Sequence, residues 1–282
     1  MIRKFFIGVA FLVLASPAIP VDAAMVVTID IEYSKNEDTR HKKHVVTIDG
    51  DRVRFDFLGT EKEKTGQTPY LLTVDGGRNY VLGNQRKGKF FCASVEPVDF
   101  FNRLGSSLSS FEALVKPRTL EITLTKTLEQ PGPDMLGYPT THVQLVMTAE
   151  AEASFFFKKY KTVVRHTDDL WYTTAVEIQP FKKLWMESMA QTGYPRFDEL
   201  FRERARLIPG PILKLESEMV TTNVIEEKTT IEREKARITS VEQVSSGDIP
   251  AAVFEVPECR RITQKQLIST AVDMFGGSKT GW

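Results

Sequence analysis

HVVTIDGDRVRFDF, His44 to Phe57, decides the fold class. Apolar and polar residues alternate on both sides of a short turn. Either Asp49-Gly50 or Gly50-Asp51 makes a two-residue hairpin turn, and the two choices shift the pairing register by two. In both, Val46, Ile48, Val53, Phe55 and Phe57 share one face, and Val45, Thr47, Arg52, Arg54 and Asp56 share the other. An antiparallel hairpin with one apolar and one wet face is expected.

The same period of two runs outward in both directions. MVVTIDIEYS, YLLTVDG, RNYVLG, TLEITLTKTL, THVQLVMTAE and FFFKKYKTVVRH are rich in Val, Ile, Thr and aromatic residues, with Gly, Asp, Asn or Pro between them. ILKLESEMVTT and the polar run to Val241 read as a late pair of long strands, and DIPAAVFEVPE as a last short one. In LLTVDGGRNYVLG, Gly76-Gly77 reads as a hairpin turn rather than a phosphate loop, because the residues after it alternate instead of opening a helix. Asp75 then faces Arg78, Thr73 faces Tyr80 and Leu71 faces Leu82. Leu71, Thr73, Tyr80 and Leu82 share one face, and Leu72, Val74 and Val81 the other. This hairpin is apolar on both sides, so it is expected between two apolar layers.

Four stretches break the alternation. Pro97 to Leu114 places Phe100, Leu104 and Leu108 at helical spacing, and Pro180 to Met189 begins with a first-turn proline. RFDELFRERARLI places Phe197, Leu200, Phe201, Arg204 and Ile208 on one helical face before Pro209-Gly210-Pro211 stops it. Gln264 to Phe275 reads as a C-terminal helix. With no βαβ alternation, the expected fold is α+β: a large antiparallel sheet with helices on one face.

The chain has 282 residues, with 37 basic and 37 acidic side chains. It opens with Arg3 and Lys4, an apolar run from Phe5 to Ala15, and small residues at Val21-Asp22-Ala23. That is the layout of a secretory signal peptide over 1–23, and the run is short for a membrane span, which needs ~20 residues. A retained N-terminal anchor is the other reading. A single domain over 24–262 and a helix and tail over 263–282 follow, with a mature chain that does not span a membrane. The balanced charge gives no case for nucleic acid. Cys92 and Cys259 are either a disulfide, which an exported protein can keep, or two buried thiols.

Motifs for chemistry are scarce. In HKKH, His41 and His44 point to opposite faces of a strand and cannot share one ion. No H-E-x-x-H, C-x-x-C or G-x-S-x-G is present. Asp168-Asp169 are neighbours and would point apart in a strand. GGSKTGW lacks the glycine before lysine that a phosphate loop needs. The sequence therefore reads as non-enzymatic, without cofactor or metal.

GDRVRFDF, LLTVDGGRNYVLG, GYPTTHVQL (Gly137 to Leu145), DDLWYTT (Asp168 to Thr174) and DIPAAVFEVPE (Asp248 to Glu258), in this order, resemble the exported bacterial family of domain of unknown function 4412, related to the lipoprotein-carrier fold of LolA, LolB and RseB. The resemblance covers about Met25 to Cys259. It implies a curved antiparallel half-barrel, with helices plugging a concave side that takes up acyl chains. At 259 residues after cleavage (282 less 23) the chain is longer than such carriers. Two functions are expected from these readings. One is a periplasmic protein that binds a lipid or lipoprotein acyl chain between sheet and helices, lined by Val46, Ile48, Val53, Phe55, Phe57, Leu71, Tyr80 and Leu82. The other is an envelope protein-interaction or scaffolding module with a filled core, working through the charged strand from Glu226 to Arg237.

Overall fold

A computed structural model describes residues 23–35, 38–58, 69–86, 89–102, 119–155, 158–175, 191, 193 and 195–263. The Pro180 to Met189 and Gln264 to Phe275 helices, the signal peptide, and Leu104 and Leu108 lie outside them. So do the side chains of Phe155 to Phe157 and Phe197.

One open sheet of twelve strands dominates. Its first half is a meander: β1 (Ala23–Lys35), β2 (Asp38–Asp49), β3 (Arg52–Leu58), β4 (Tyr70–Thr73), β5 (Tyr80–Arg86) and β6 (Lys89–Val95). Its second half is another, of β7 (Thr119–Pro131), β8 (Thr141–Phe155), β9 (Lys158–Tyr172), β10 (Ile212–Asn223) and β11 (Lys228–Ser245). The long β1–β11 ladder, Ala23 opposite Ser245 through Lys35 opposite Glu232, joins the halves. A two-residue β12 (Arg260–Arg261) adds to the β6 edge as the one parallel pair among the described strands.

The sheet has two unlike faces. Helix α1 (Pro195–Leu207) lies on one, where Arg204 reaches Asp168 of β9 and Leu207 packs with Val143, Leu145 and Leu170. A helical turn at 97–102 adds Phe100 to Leu82, Ala93 and Val95 of the same face. Glu96 caps that turn, accepting hydrogen bonds from the amides of Val98 and Asp99. The apolar core of this helix face runs through Met25, Val27, Ile29, Val46, Ile48, Val53, Phe55, Leu213 and Ile238. The opposite face carries a strap, residues 246–262, described below.

The opening hairpin forms as its alternation demands. Asp49 pairs with Arg52, so Gly50-Asp51 is the turn, and Gly50 takes the positive φ of 55° that glycine permits. Val46, Ile48, Val53 and Phe55 are buried and Phe57 is half-buried on the helix face. Its other face is drier than expected. Thr47 is buried, Arg54 lies under the strap, and Arg52, its side chain still 43% exposed, lies over the Phe254 ring.

Three further expectations are corrected. In LLTVDGGRNYVLG, Leu71 does face Leu82, but the turn is a loop of residues 74–79 rather than Gly76-Gly77 alone. The Asp75 carboxylate accepts from the Thr73 hydroxyl and from the amide and side chain of Asn79, while Arg78 donates to the Asp75 carbonyl, so no Asp75–Arg78 charge pair forms. An Asp side chain that satisfies local amides favours such a loop over a tight turn. Val74 therefore falls beyond the strand end and is exposed. The two-layer expectation holds for the strands: Leu71 and Leu82 pack on the helix face, and Tyr70, Leu72 and Val81 on the strap face. DIPAAVFEVPE is not a strand. It forms 3-10 turns at Ser246–Asp248 and Ala251–Phe254, because Pro250 has no N–H for a ladder and its φ near −57° starts a turn.

After α1, Gly210 touches the chain before it. A Cβ there would sit 1.9 Å from the Thr173 carbonyl oxygen, a backbone atom that cannot swing aside. Gly210→Ala is expected to cost about 2–3 kcal/mol by urea denaturation, as overpacking typically does. A loss under ~0.5 kcal/mol would show that the 208–211 connection yields freely.

Candidate functional site

The eight expected lining residues are all on the helix face. Val46, Ile48, Val53 and Phe55 form one cluster with half-buried Phe57 and Leu71, and Leu71 also touches Leu82, which packs with Ala93 and Val95. Tyr80 is buried in the same layer, opposite Val95, and burial holds its phenol well above the usual range. These residues make a continuous apolar surface.

That surface meets a row of buried ionisable groups which sequence reading did not assemble. Across neighbouring strands, Tyr33 of β1 faces Glu234 of β11, Glu234 faces Ser217 of β10, and Ser217 faces Asp168 of β9. One step along the strands lies a second row: Lys35, Glu232, Met219 and His166. On the other side the row is apolar: Ile31, Ala236, Leu215, Leu170 and Val143. A boundary between apolar and ionic surface thus crosses the strands inside the protein. Side chains at strand spacing of two fall on one face, so the register alone fixes the row.

Asp168 is its most constrained member. Arg204 of α1 donates to its Oδ2 at 2.6 Å. Nε2 of His166 lies 2.6 Å from Ser217 Oγ and 3.1 Å from Asp168 Oδ1. The hydroxyl has the hydrogen-bonding geometry, so Oδ1 is buried beside the imidazole without a hydrogen bond. Burial pushes the Asp168 carboxyl up, but Arg204 and His166 outweigh it and hold it well below the usual carboxylate range.

Glu234 is the opposite case. It is 7% exposed, and burial, with the Asp168 charge, pushes its carboxyl up to about 8, against the pull of Lys42. It holds a proton near neutrality. Glu232 pairs with Lys35 at 2.7 Å. Burial and the neighbouring Glu232 raise the Tyr33 phenol, and burial lowers the Lys42 ammonium.

Two carboxylates with separated pKa values suit acid and base roles. The relay of a serine nucleophile is not assembled here. It needs the serine on one imidazole nitrogen and the carboxylate on the other, whereas Ser217 and Asp168 both lie on Nε2 of His166. The geometry sets buried polar groups beside an apolar surface.

Arg204 was the signal in the sequence, a cation on the apolar face of α1 (Leu200, Phe201 and Ile208 are buried). Glu232 and Glu234 gave none, because EREKAR alternates charge with charge. Asp168 and Asp169 do point apart: on the strap face Asp169 accepts from Gln144 and lies 2.9 Å from His142, whose ring stacks on Trp171 at 4.2 Å. His41 is exposed, while His44 is buried beside Phe55 and Phe57. Among the described residues no group of three His, Cys, Asp or Glu is placed to hold a metal ion, and no helix is long and apolar enough to cross a membrane.

No family model matches the chain, and no curated protein matches it. Among solved structures, one of PNGF-II is similar with a TM-score of 0.35 and 12% identity over 89% of this chain. The chain spans 32% of that protein's chain.

Proposed function

We propose that this is a non-enzymatic protein of the bacterial envelope that binds an apolar ligand, a lipid or lipoprotein acyl chain, over the helix face of its sheet. The observation that carries this reading is the apolar layer from Leu82 to Leu145 ending in a buried ionic row. A plain core gains nothing from buried charge, which costs several kcal/mol per ion before pairing. An amphiphile uses both surfaces, with its chain on Val46, Phe55 and Leu71 and its polar end at Glu234 and Ser217.

The relation to domain of unknown function 4412 and to the lipoprotein carriers belongs to this proposal, as do the cleaved signal peptide and the periplasm. The Cys92–Cys259 disulfide suits an oxidising compartment. A sheet curved towards its helix face is part of the same reading. Met135 and Tyr138, from the β7–β8 connection, pack against the cluster that holds Met25, Val46 and Phe55. In a flat sheet with strands ~4.8 Å apart that connection would fall short.

Native mass spectrometry of the full chain, purified from the periplasm, and titration with a fluorescent fatty acid test the reading. We expect bound lipid after purification, and fatty-acid binding weakened about tenfold in Leu71→Asn, where one apolar contact becomes polar. A ligand-free protein that also leaves the fatty acid unbound would overturn it. The close packing of the same eight residues favours the second reading, a filled-core scaffolding module. Its surface would include exposed Arg233, 2.7 Å from Glu218, and Arg237. Charge reversal at both arginines should then reduce recovery of an envelope partner.

A further inference from the structure

Residues 246–262 cross the strap face and cover an apolar strip. Phe254, with Val253 and Ile249 beside it, packs on Tyr70, Leu72, Val81 and Phe90. The Tyr70 ring stacks on Phe90 at 5.8 Å and covers Gly83, where a Cβ would lie 2.2 Å from it. Its hydroxyl is buried without a hydrogen bond, an outlay that access to water would remove.

The strap is lightly held. Ser246 donates to Asp49, Arg54 donates to the Val253 carbonyl at 3.0 Å, and the Arg52 guanidinium lies over the Phe254 ring at 4.6 Å. Its strand contribution is two residues, Arg260 opposite Phe91 and Arg261 opposite Cys92. Beyond it the Ile262 amide donates to the Cys92 carbonyl at 2.9 Å, and Ile262 packs on Leu82, Ala93 and Val95. The rest of its backbone closes only local turns, and much of its length is exposed. Short segments with one buried anchor sit at the low end of local stability. Against this stands one covalent tie, Cys92–Cys259, with Cα atoms 5.7 Å apart. Cys92 is 4% exposed, whereas Cys259 is half-buried and is the more accessible residue of the pair.

We propose that this disulfide is a reducible latch, and that a dithiol reductant attacking Cys259 releases the strap and bares the apolar strip of Tyr70, Leu72 and Phe90. A thiolate of the reductant bonds to Cys259 Sγ, the Sγ–Sγ bond breaks, and the electron pair leaves on Cys92 Sγ, which takes a proton from water. The second thiolate of the reductant then displaces Cys259. One dithiol is oxidised to its disulfide, and one protein disulfide becomes two thiols. The β1–β11 ladder lies away from the break and stays paired.

Dithiothreitol titration of the full chain, followed by thiol alkylation and amide hydrogen exchange, tests this. Complete reduction should speed exchange about tenfold or more in 249–262, and raise the fluorescence of an apolar-surface dye, while β1, β10 and β11 keep their protection. A Cys92→Ser/Cys259→Ser variant should show the open strap without reductant and ignore dithiothreitol. With glutathione, a monothiol, the first adduct should form on Cys259. Retained protection of 249–262 after full reduction would overturn the latch, because the strap then holds itself. Loss of protection across the whole sheet would also overturn it, making the disulfide a staple of the entire fold.

Discussion

Arg204→Met is expected to lower the stability of the folded chain by about 3–5 kcal/mol, the cost of leaving a buried charge without its partner. Asp168 is 3% exposed on β9, and its Oδ2 accepts from Arg204 at 2.6 Å. Its Oδ1 has no hydrogen bond to fall back on, and the nearby imidazole is engaged with Ser217. Without the guanidinium the carboxylate keeps only the attraction of His166, so burial, which already pushes its pKa up, gains the upper hand. Methionine is close in length to the apolar stem of Arg204, so the loss reads charge rather than packing. The double variant Arg204→Met/Asp168→Leu removes both charges and should recover most of the loss, since replacing a buried pair by apolar groups is often near neutral. Urea denaturation of the four proteins in the cycle measures the coupling. A single variant within ~1 kcal/mol of the parent, with coupling near zero, would mean that Asp168 finds water or another donor.

What the sequence made legible follows from what strand and helix periods encode. Helix α1 and strand β10 were readable because apolar side chains recur at 3.6 or 2 along them, whereas β11 read as a strand from a polar run rich in Thr, Glu and Lys. The hairpin at Gly50 was readable because a register slip of one would have exposed Val46 and Phe55. The candidate site was not. Glu232 and Glu234 alternate with Arg233 and Lys235, so both faces of β11 look wet. Only the pairing with Tyr33 and Ser217, set by residues far away in sequence, turns one face inward. Similarly, Asp75 prefers its local amides to Arg78, a choice made by geometry that charge pattern does not carry. DIPAAVFEVPE misled because Val253 and Phe254 are strand-prone residues, yet Pro250 sets the backbone.

The second large effect is on pH. Glu234 ordinarily titrates at 4.5 but at about 8 in the fold. The folded chain therefore keeps a proton that the unfolded chain gives up above 4.5. The stability from this proton is whole below 4.5 and falls by ~1.4 kcal/mol per pH unit up to 8, about 4–5 kcal/mol in all. His44 works the other way. Burial first, then Lys42, lowers it from 6.5 to about 4, against the hydrogen bond with the Lys43 carbonyl. The folded imidazole stays neutral while the unfolded one is charged, so its contribution is whole above 6.5 and falls as pH drops to 4, by roughly 3 kcal/mol. From 4.5 to 6.5 the two slopes oppose and cancel, giving a plateau. Above 6.5 only the Glu234 slope remains, and the parent should lose about 2 kcal/mol between pH 6.5 and 8. Glu234→Gln keeps the shape and removes the proton, so it should hold its stability across that span and overtake the parent at pH 8. His44→Gln should leave the upper limb intact and remove the lower one, so that stability climbs as pH falls from 6.5 towards 4.5. Urea midpoints at pH 5, 6.5 and 8 separate the two groups. A parent as stable at pH 8 as at 6.5, or a Glu234→Gln variant that declines in parallel with it, would show that Glu234 ionises without cost and that the row is open to water.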